Sequence, residues 1–178
     1  MPLRALDLLI TLELASKGAG NRTYAELARA IGLSASEAHQ AARRAVDAGL
    51  LRSGPDRRDK PEANSRALLG FLEHGVRHAF FAVPGPVVRG MPTAHSAPPL
   101  NSLIQQAGEL PLVWPDAEGT VRGQAVEPLY RTVPQVARRD PEFYELLALV
   151  DALRCGGARE RELAIAELER RIEREERK

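Results

Sequence analysis

The residues best suited to recognition chemistry cluster in one short stretch of this 178-residue chain. Ser36, His39, Gln40, Arg43 and Arg44 are expected on the outer face of a helix, with Ser34 at its start. Their hydroxyl, imidazole, amide and guanidinium groups donate to and accept from base edges and phosphate oxygens. A second basic group follows in the string RSGPDRRDK, residues 52–60. There Gly54, Pro55 and Asp56 supply turn chemistry. Arg57, Arg58 and Lys60 then stand where a loop tip meets a phosphate backbone or a minor groove. The bland alternative is a helical hairpin with a solvated charged loop.

Other chemistry is thinner. His74 and His78 have a spacing that places two imidazoles on one side of a continuous helix. Gly75 interrupts that helix, and no third ligand has a fixed spacing, so no metal is expected. Cys155 precedes two glycines at a helix end, whereas a reactive thiolate favours a helix N-terminus. His95 and Ser96 are neighbours in sequence, which does not make them converge in space. Gly85 and Gly90 lack the Gly-Lys-Ser/Thr ending of a phosphate loop. These readings predict no catalytic residues, no cofactor and no enzyme.

The elements that must hold the polar cluster are written in residues 23–51, TYAELARAIGLSASEAHQAARRAVDAGLL. Thr23 with Glu26, and Ser34 with Glu37, have the spacing of capping boxes. Leu27, Ala28 and Ile31 repeat at helical spacing, and Gly32 suits the left-handed conformation that ends a helix sharply. Ala38, Ala41, Ala42, Ala45 and Val46 form the inner stripe of a second helix, about residues 34–48. Gly49 stops it, and Leu50 and Leu51 begin an extended segment. Caps, turn, stripe and loop agree, which favours DNA recognition over the bland alternative.

This stretch resembles the winged helix-turn-helix domain of bacterial transcription regulators of the MarR and ArsR kind. The resemblance implies a second helix in the major groove and a wing, about residues 52–60, on the neighbouring backbone. The matching positions are Ser34, Ser36, His39, Gln40 and Arg43, with Arg57 and Arg58 in the wing. Asp56 and Asp59 depart from the pattern by diluting the wing's charge.

Composition agrees with a core built from aliphatic residues: hydrophobic content is 44% but aromatic content only 4%. Residues 1–60 hold 10 Lys and Arg against 7 Asp and Glu, and the remainder holds 15 against 17, so the small positive excess lies in the first part. No apolar run approaches the ~20 residues that span a bilayer. Asp7 and Glu13 interrupt the apolar N-terminal stretch, which reads as an amphipathic helix and not a signal peptide. The single cysteine excludes an intrachain disulfide and points to the cytoplasm.

Along the chain, helices are expected over residues 3–16 and 61–74, followed by a strand over 79–83. Residues 84–134 hold most of the 13 prolines, which forbids long helices there. Strands around 112–114 and 122–128 flank a hairpin turn at 116–119. A short helical turn at 133–139 precedes a helix capped by Asp140 and Pro141, running to about Leu153 with Phe143, Leu146, Leu147 and Val150 inward. A last helix from Ala158 carries the stripe Leu163, Ile165, Leu168 and Ile172. The string 89–100, RGMPTAHSAPPL, reads as a rigid loop over the core, with a ligand- or partner-binding loop as the alternative. With the downstream VWPDAEGTVRG it resembles bacterial winged-helix regulators. Some of these look like antitoxins that repress their own operon beside a nucleotidyltransferase-type toxin.

The expected fold is mostly α with small β, an α+β fold. Residues 1–60 form a winged helix-turn-helix unit, and residues 61–178 an irregular and α-helical module for dimerisation or partner binding. The expected function is sequence-specific binding of double-stranded DNA by a homodimer that regulates transcription. Its candidate interfaces are the first and last helices. The alternative is a protein-binding antitoxin that neutralises a toxin and represses its own operon. No membrane association is expected.

Overall fold

A computed structural model of the chain describes residues 2–16, 23–53, 61–105 and 108–176, with side chains as far as Ile172. The fold is mostly α with small sheets. Three helices come first: α1 (Ala5–Ala15), α2 (Tyr24–Ala30) and α3 (Ala35–Asp47). Two short strands follow, β1 (Leu51–Arg52) and β2 (Glu62–Ala63), paired antiparallel with Leu51 opposite Ala63. Then come α4 (Ser65–His74) and α5 (Val76–Ala79), and the strands β3 (Val87–Pro92), β4 (Leu112–Pro115) and β5 (Val121–Ala125). The chain closes with α6 (Val133–Arg139), α7 (Pro141–Cys155) and α8 (Ala158–Glu176).

Local signals set many of these ends. Thr23 Oγ1 accepts from the Glu26 amide at 3.2 Å while Glu26 accepts from the Thr23 amide at 2.6 Å. Asp140 Oδ1 accepts from the Phe143 amide at 3.0 Å, with Pro141 in the first turn where its missing N–H costs nothing. The helix expected from residue 61 instead starts at Ser65. Glu62 and Ala63 are taken by pairing with β1, and Asn64 caps α4. The return strand β2 therefore lies beyond the expected unit boundary at residue 60. Asn64 also ties the corner together, its Nδ2 donating to the Gly49 carbonyl at 3.0 Å and its Oδ1 accepting from Arg52 at 3.0 Å.

Two further expectations are corrected. Residues 79–83 form no strand: α5 ends at Ala79, and Phe80 turns in against Phe71 with ring centroids 6.3 Å apart. Arg154 Nε donates to the Phe80 carbonyl at 2.7 Å, and Phe81 and Val83 are left outward, 70% and 72% exposed. Strands β4 and β5 form close to where they are expected, but the turn between them does not make a hairpin. They run parallel to each other, each antiparallel to β3, and the three close into a small barrel. Gly90 permits the closure, because a Cβ there would fall on the Trp114 carbonyl.

The string 89–100 is not all loop: its first four residues lie in β3, and the rest packs over the core. Thr93, Ala94, Ser96, Ala97 and Leu100 are buried. Ser96 Oγ accepts from the Leu112 amide at 2.9 Å, and Thr93 Oγ1 donates to Asp151 at 2.8 Å. The same Asp151 oxygen accepts from Trp114 Nε1 at 2.5 Å, and Arg154 reaches the other oxygen at 2.5 Å. Burial pushes the Asp151 carboxyl up, against the pull of Arg154, Thr93 and Trp114. This knot joins α7 to the barrel.

One contiguous apolar core runs from α1 to α8. Helix α1 packs on α3 and β2, with Leu8, Leu9, Ile10 and Leu12 fully buried. Helix α8 packs on α4 and α7, burying Leu168 and Ile172 and half-burying Leu163 and Ile165. The apolar stripes of the first and last helices are thus covered by their own chain. Among the described residues, no helix is long and apolar enough to cross a membrane.

Candidate functional site

Helix α3 presents the polar cluster. The chain enters it through a tight turn in which Gly32 has φ +70°, a conformation that favours glycine. The Leu33 amide donates back to the Ala28 carbonyl at 2.7 Å, closing the end of α2. Ser34 then caps α3: its Oγ accepts from the Glu37 amide at 3.2 Å, and Glu37 Oε2 accepts from the Ser34 amide at 3.0 Å. Ala38, Ala41, Ala42 and Ala45 are buried against α1 and α2, and their small size brings the three helices close together.

The structure sorts the expected contact residues. Ser36, Gln40 and Arg43 are exposed and lie at i, i+4 and i+7, which makes one stripe opposite the alanines. His39 is exposed beside them, its ring edge-on to Tyr24 with centroids 5.3 Å apart. Ser34 is exposed, but its hydroxyl is engaged by the cap and donates to Glu37 Oε2 at 2.7 Å. Arg57 and Arg58 lie outside the described residues.

Arg44 is the correction. It is 9% exposed and turns away from the stripe to meet Asp7 of α1, which is fully buried. Arg44 Nε donates to both Asp7 oxygens at 3.0 Å and Nη2 to Oδ1 at 2.6 Å. The hydrogen bonds it donates to Asp7 push the guanidinium pKa higher still. At about 100° per residue Arg44 stands nearer the alanine stripe than Arg43 does. That offset, with an aspartate inside the apolar run of α1, is the signal that separates the two arginines.

Electrostatics at the start of α3 involve a residue the sequence did not single out. The Ser34 hydrogen bonds hold the Glu37 carboxyl below its usual range, and the positive charge of Arg131 adds to that. Arg131 lies just before α6, far from α3 in sequence.

The remaining candidates do not assemble. His74 and His78 are exposed on α4 and α5, separated by the break at Gly75, and His74 Nε2 stands 3.3 Å from Glu73. Among the described residues no three His, Cys, Asp or Glu side chains group as metal ligands. Cys155 Sγ donates to the Asp151 carbonyl at 3.1 Å, and burial, with the Asp151 charge, pushes its pKa up to about 12. The neutral thiol is no nucleophile at ordinary pH. A comparison with family models, curated proteins and solved structures finds no match.

Proposed function

We propose that the chain is a sequence-specific, double-stranded-DNA-binding transcription regulator. Helix α3 lies in the major groove, and the connection between β1 and β2 serves as a wing on the backbone. The observation that carries this reading is the stripe Ser36, Gln40 and Arg43, exposed on a capped helix whose other side is buried. Gln pairs with adenine and Arg with guanine in the groove, and Ser accepts or donates to either. Asp47 continues the stripe at the far end of α3 and repels phosphate, so the contacts end at Arg43.

In this reading the chain is a cytoplasmic binding protein without catalysis, acting as a homodimer. One such stripe reads only a few base pairs, and two half-sites about 34–36 Å apart supply the rest of the specificity. An electrophoretic shift tests it, with the region upstream of the chain's own gene against a scrambled duplex of equal length. Preferential retardation of the upstream region supports the reading, and equal or no retardation of both duplexes contradicts it.

The alternative is an antitoxin-type protein that neutralises a toxin and represses its own operon. It draws on Phe81 and Val83, outward in the run of residues 79–88, which holds no charged side chain. A stable complex with the product of the neighbouring gene would favour it.

A further inference from the structure

The turn between α2 and α3 is held by a distant part of the chain. Thr132 Oγ1 donates to the Ile31 carbonyl at 2.8 Å, across 101 residues of sequence. A Cβ on Gly32 would stand 3.2 Å from Thr132 Cγ2, so the corner at residues 130–132 is packed on the turn itself. Arg131 projects from that corner. It is exposed, and its guanidinium carbon lies 5.7 Å from the centre of the Tyr130 ring. It forms no ion pair among the described residues, unlike Arg44, Arg138, Arg154, Arg170 and Arg171. Its charge is felt at Glu37, in the first turn of α3.

We infer that Arg131 is a DNA-phosphate ligand, so that the surface meeting DNA is built from two separate pieces of the chain, α3 and the 130–132 corner. This inference rests on the DNA-binding reading above. A helix with its side chains is about 10–12 Å across and fills a major groove about 12 Å wide. A group flanking the first turn of such a helix therefore stands over the phosphates that border the groove. A guanidinium suits that place, since its fork of N–H donors matches a phosphate in two parallel hydrogen bonds. Packing over Tyr130 limits the rotamer freedom that binding would otherwise remove. Thr132 fixes the distance between corner and turn, so Arg131 and the α3 stripe reach DNA in one register. Arg131 also offsets Glu37, the acid nearest the first turn, which would otherwise face the phosphates.

The test measures binding of the full chain to its upstream region and to an arbitrary duplex of about 30 base pairs, across a range of salt concentrations. Arg131→Ala is expected to lower affinity for both duplexes by the same factor, roughly fivefold near 0.1 M salt, and to reduce the log–log salt slope by about 1. Arg131→Lys should keep the slope. Arg159→Ala, the same charge change on α8, should leave slope and affinity as they are. Loss of the Arg131→Ala effect, while Gln40→Ala with Arg43→Ala still abolishes preference for the upstream region, overturns the Arg131 assignment and leaves α3 as reader. An equal effect from Arg159→Ala overturns it as well, since net charge alone would then explain the change. If the wild-type chain binds neither duplex, the DNA-binding reading falls and the Arg131 assignment with it.

Discussion

Arg44 and Asp7 form a buried, two-pronged ion pair that joins α3 to α1, with the closest contact 2.6 Å. The pair holds α3 in place and leaves the exposed stripe to Ser36, Gln40 and Arg43. Removing one partner leaves an uncompensated buried charge, and Arg44→Ala is expected to cost about 3–5 kcal/mol. Replacing both, with Asp7→Leu and Arg44→Met, should cost much less because no charge is stranded. Urea unfolding of the single and double variants checks this. A single variant within about 1 kcal/mol of the wild type would show that the pair does not anchor the helix.

Leu168 is fully buried between α8 and the body of its own chain. Leu168→Ala is therefore expected to cost about 2–5 kcal/mol of stability while leaving the mass of the folded species unchanged. Light scattering with thermal unfolding separates the two effects. A variant of lower mass and unaltered stability would place α8 between subunits.

The caps were legible because they are local. Thr23 with Glu26, and Ser34 with Glu37, satisfy each other three residues apart, so α2 and α3 could be bounded without knowledge of anything else. The stop at Gly32 and the alanine stripe are of the same kind. The partner of Arg44 was not legible from α3, because Asp7 lies 37 residues away and only packing brings it near. Glu62 and Ala63 carry no strong strand signal and are extended because β1 offers them hydrogen bonds. The apolar run after Ala79 has the composition of a strand but pairs with no strand among the described residues. Arg131 was invisible for the same reason: nothing in 130–132 announces that Thr132 will seat on Ile31.

Cys155 makes the native state sensitive to alkali. Its thiol is pushed from an ordinary value of 9.0 to about 12 in the fold, so the unfolded chain ionises first. The contribution is fully present below pH 9 and is lost as pH rises from there toward 12. Tyr144, raised from 10.0 to about 12, acts in the same direction. Stability measured at neutral pH and midway between the two thiol values should fall less for Cys155→Ala than for the wild type. An equal fall in both proteins would show that the thiol ionises alike folded and unfolded.

In the proposed complex the outward stripe of α3 reads bases. Binding of Gln40→Ala with Arg43→Ala to the upstream region of the chain's own gene, measured beside the thermal unfolding of the same variant, tests it most directly. Both side chains are exposed, so the unfolding temperature should stay close to that of the wild type. Each lost bidentate contact is worth about 1–3 kcal/mol of discrimination, so preference for the upstream region over a scrambled duplex should disappear. A stably folded variant that keeps wild-type preference would contradict the assignment of α3 as the reading helix.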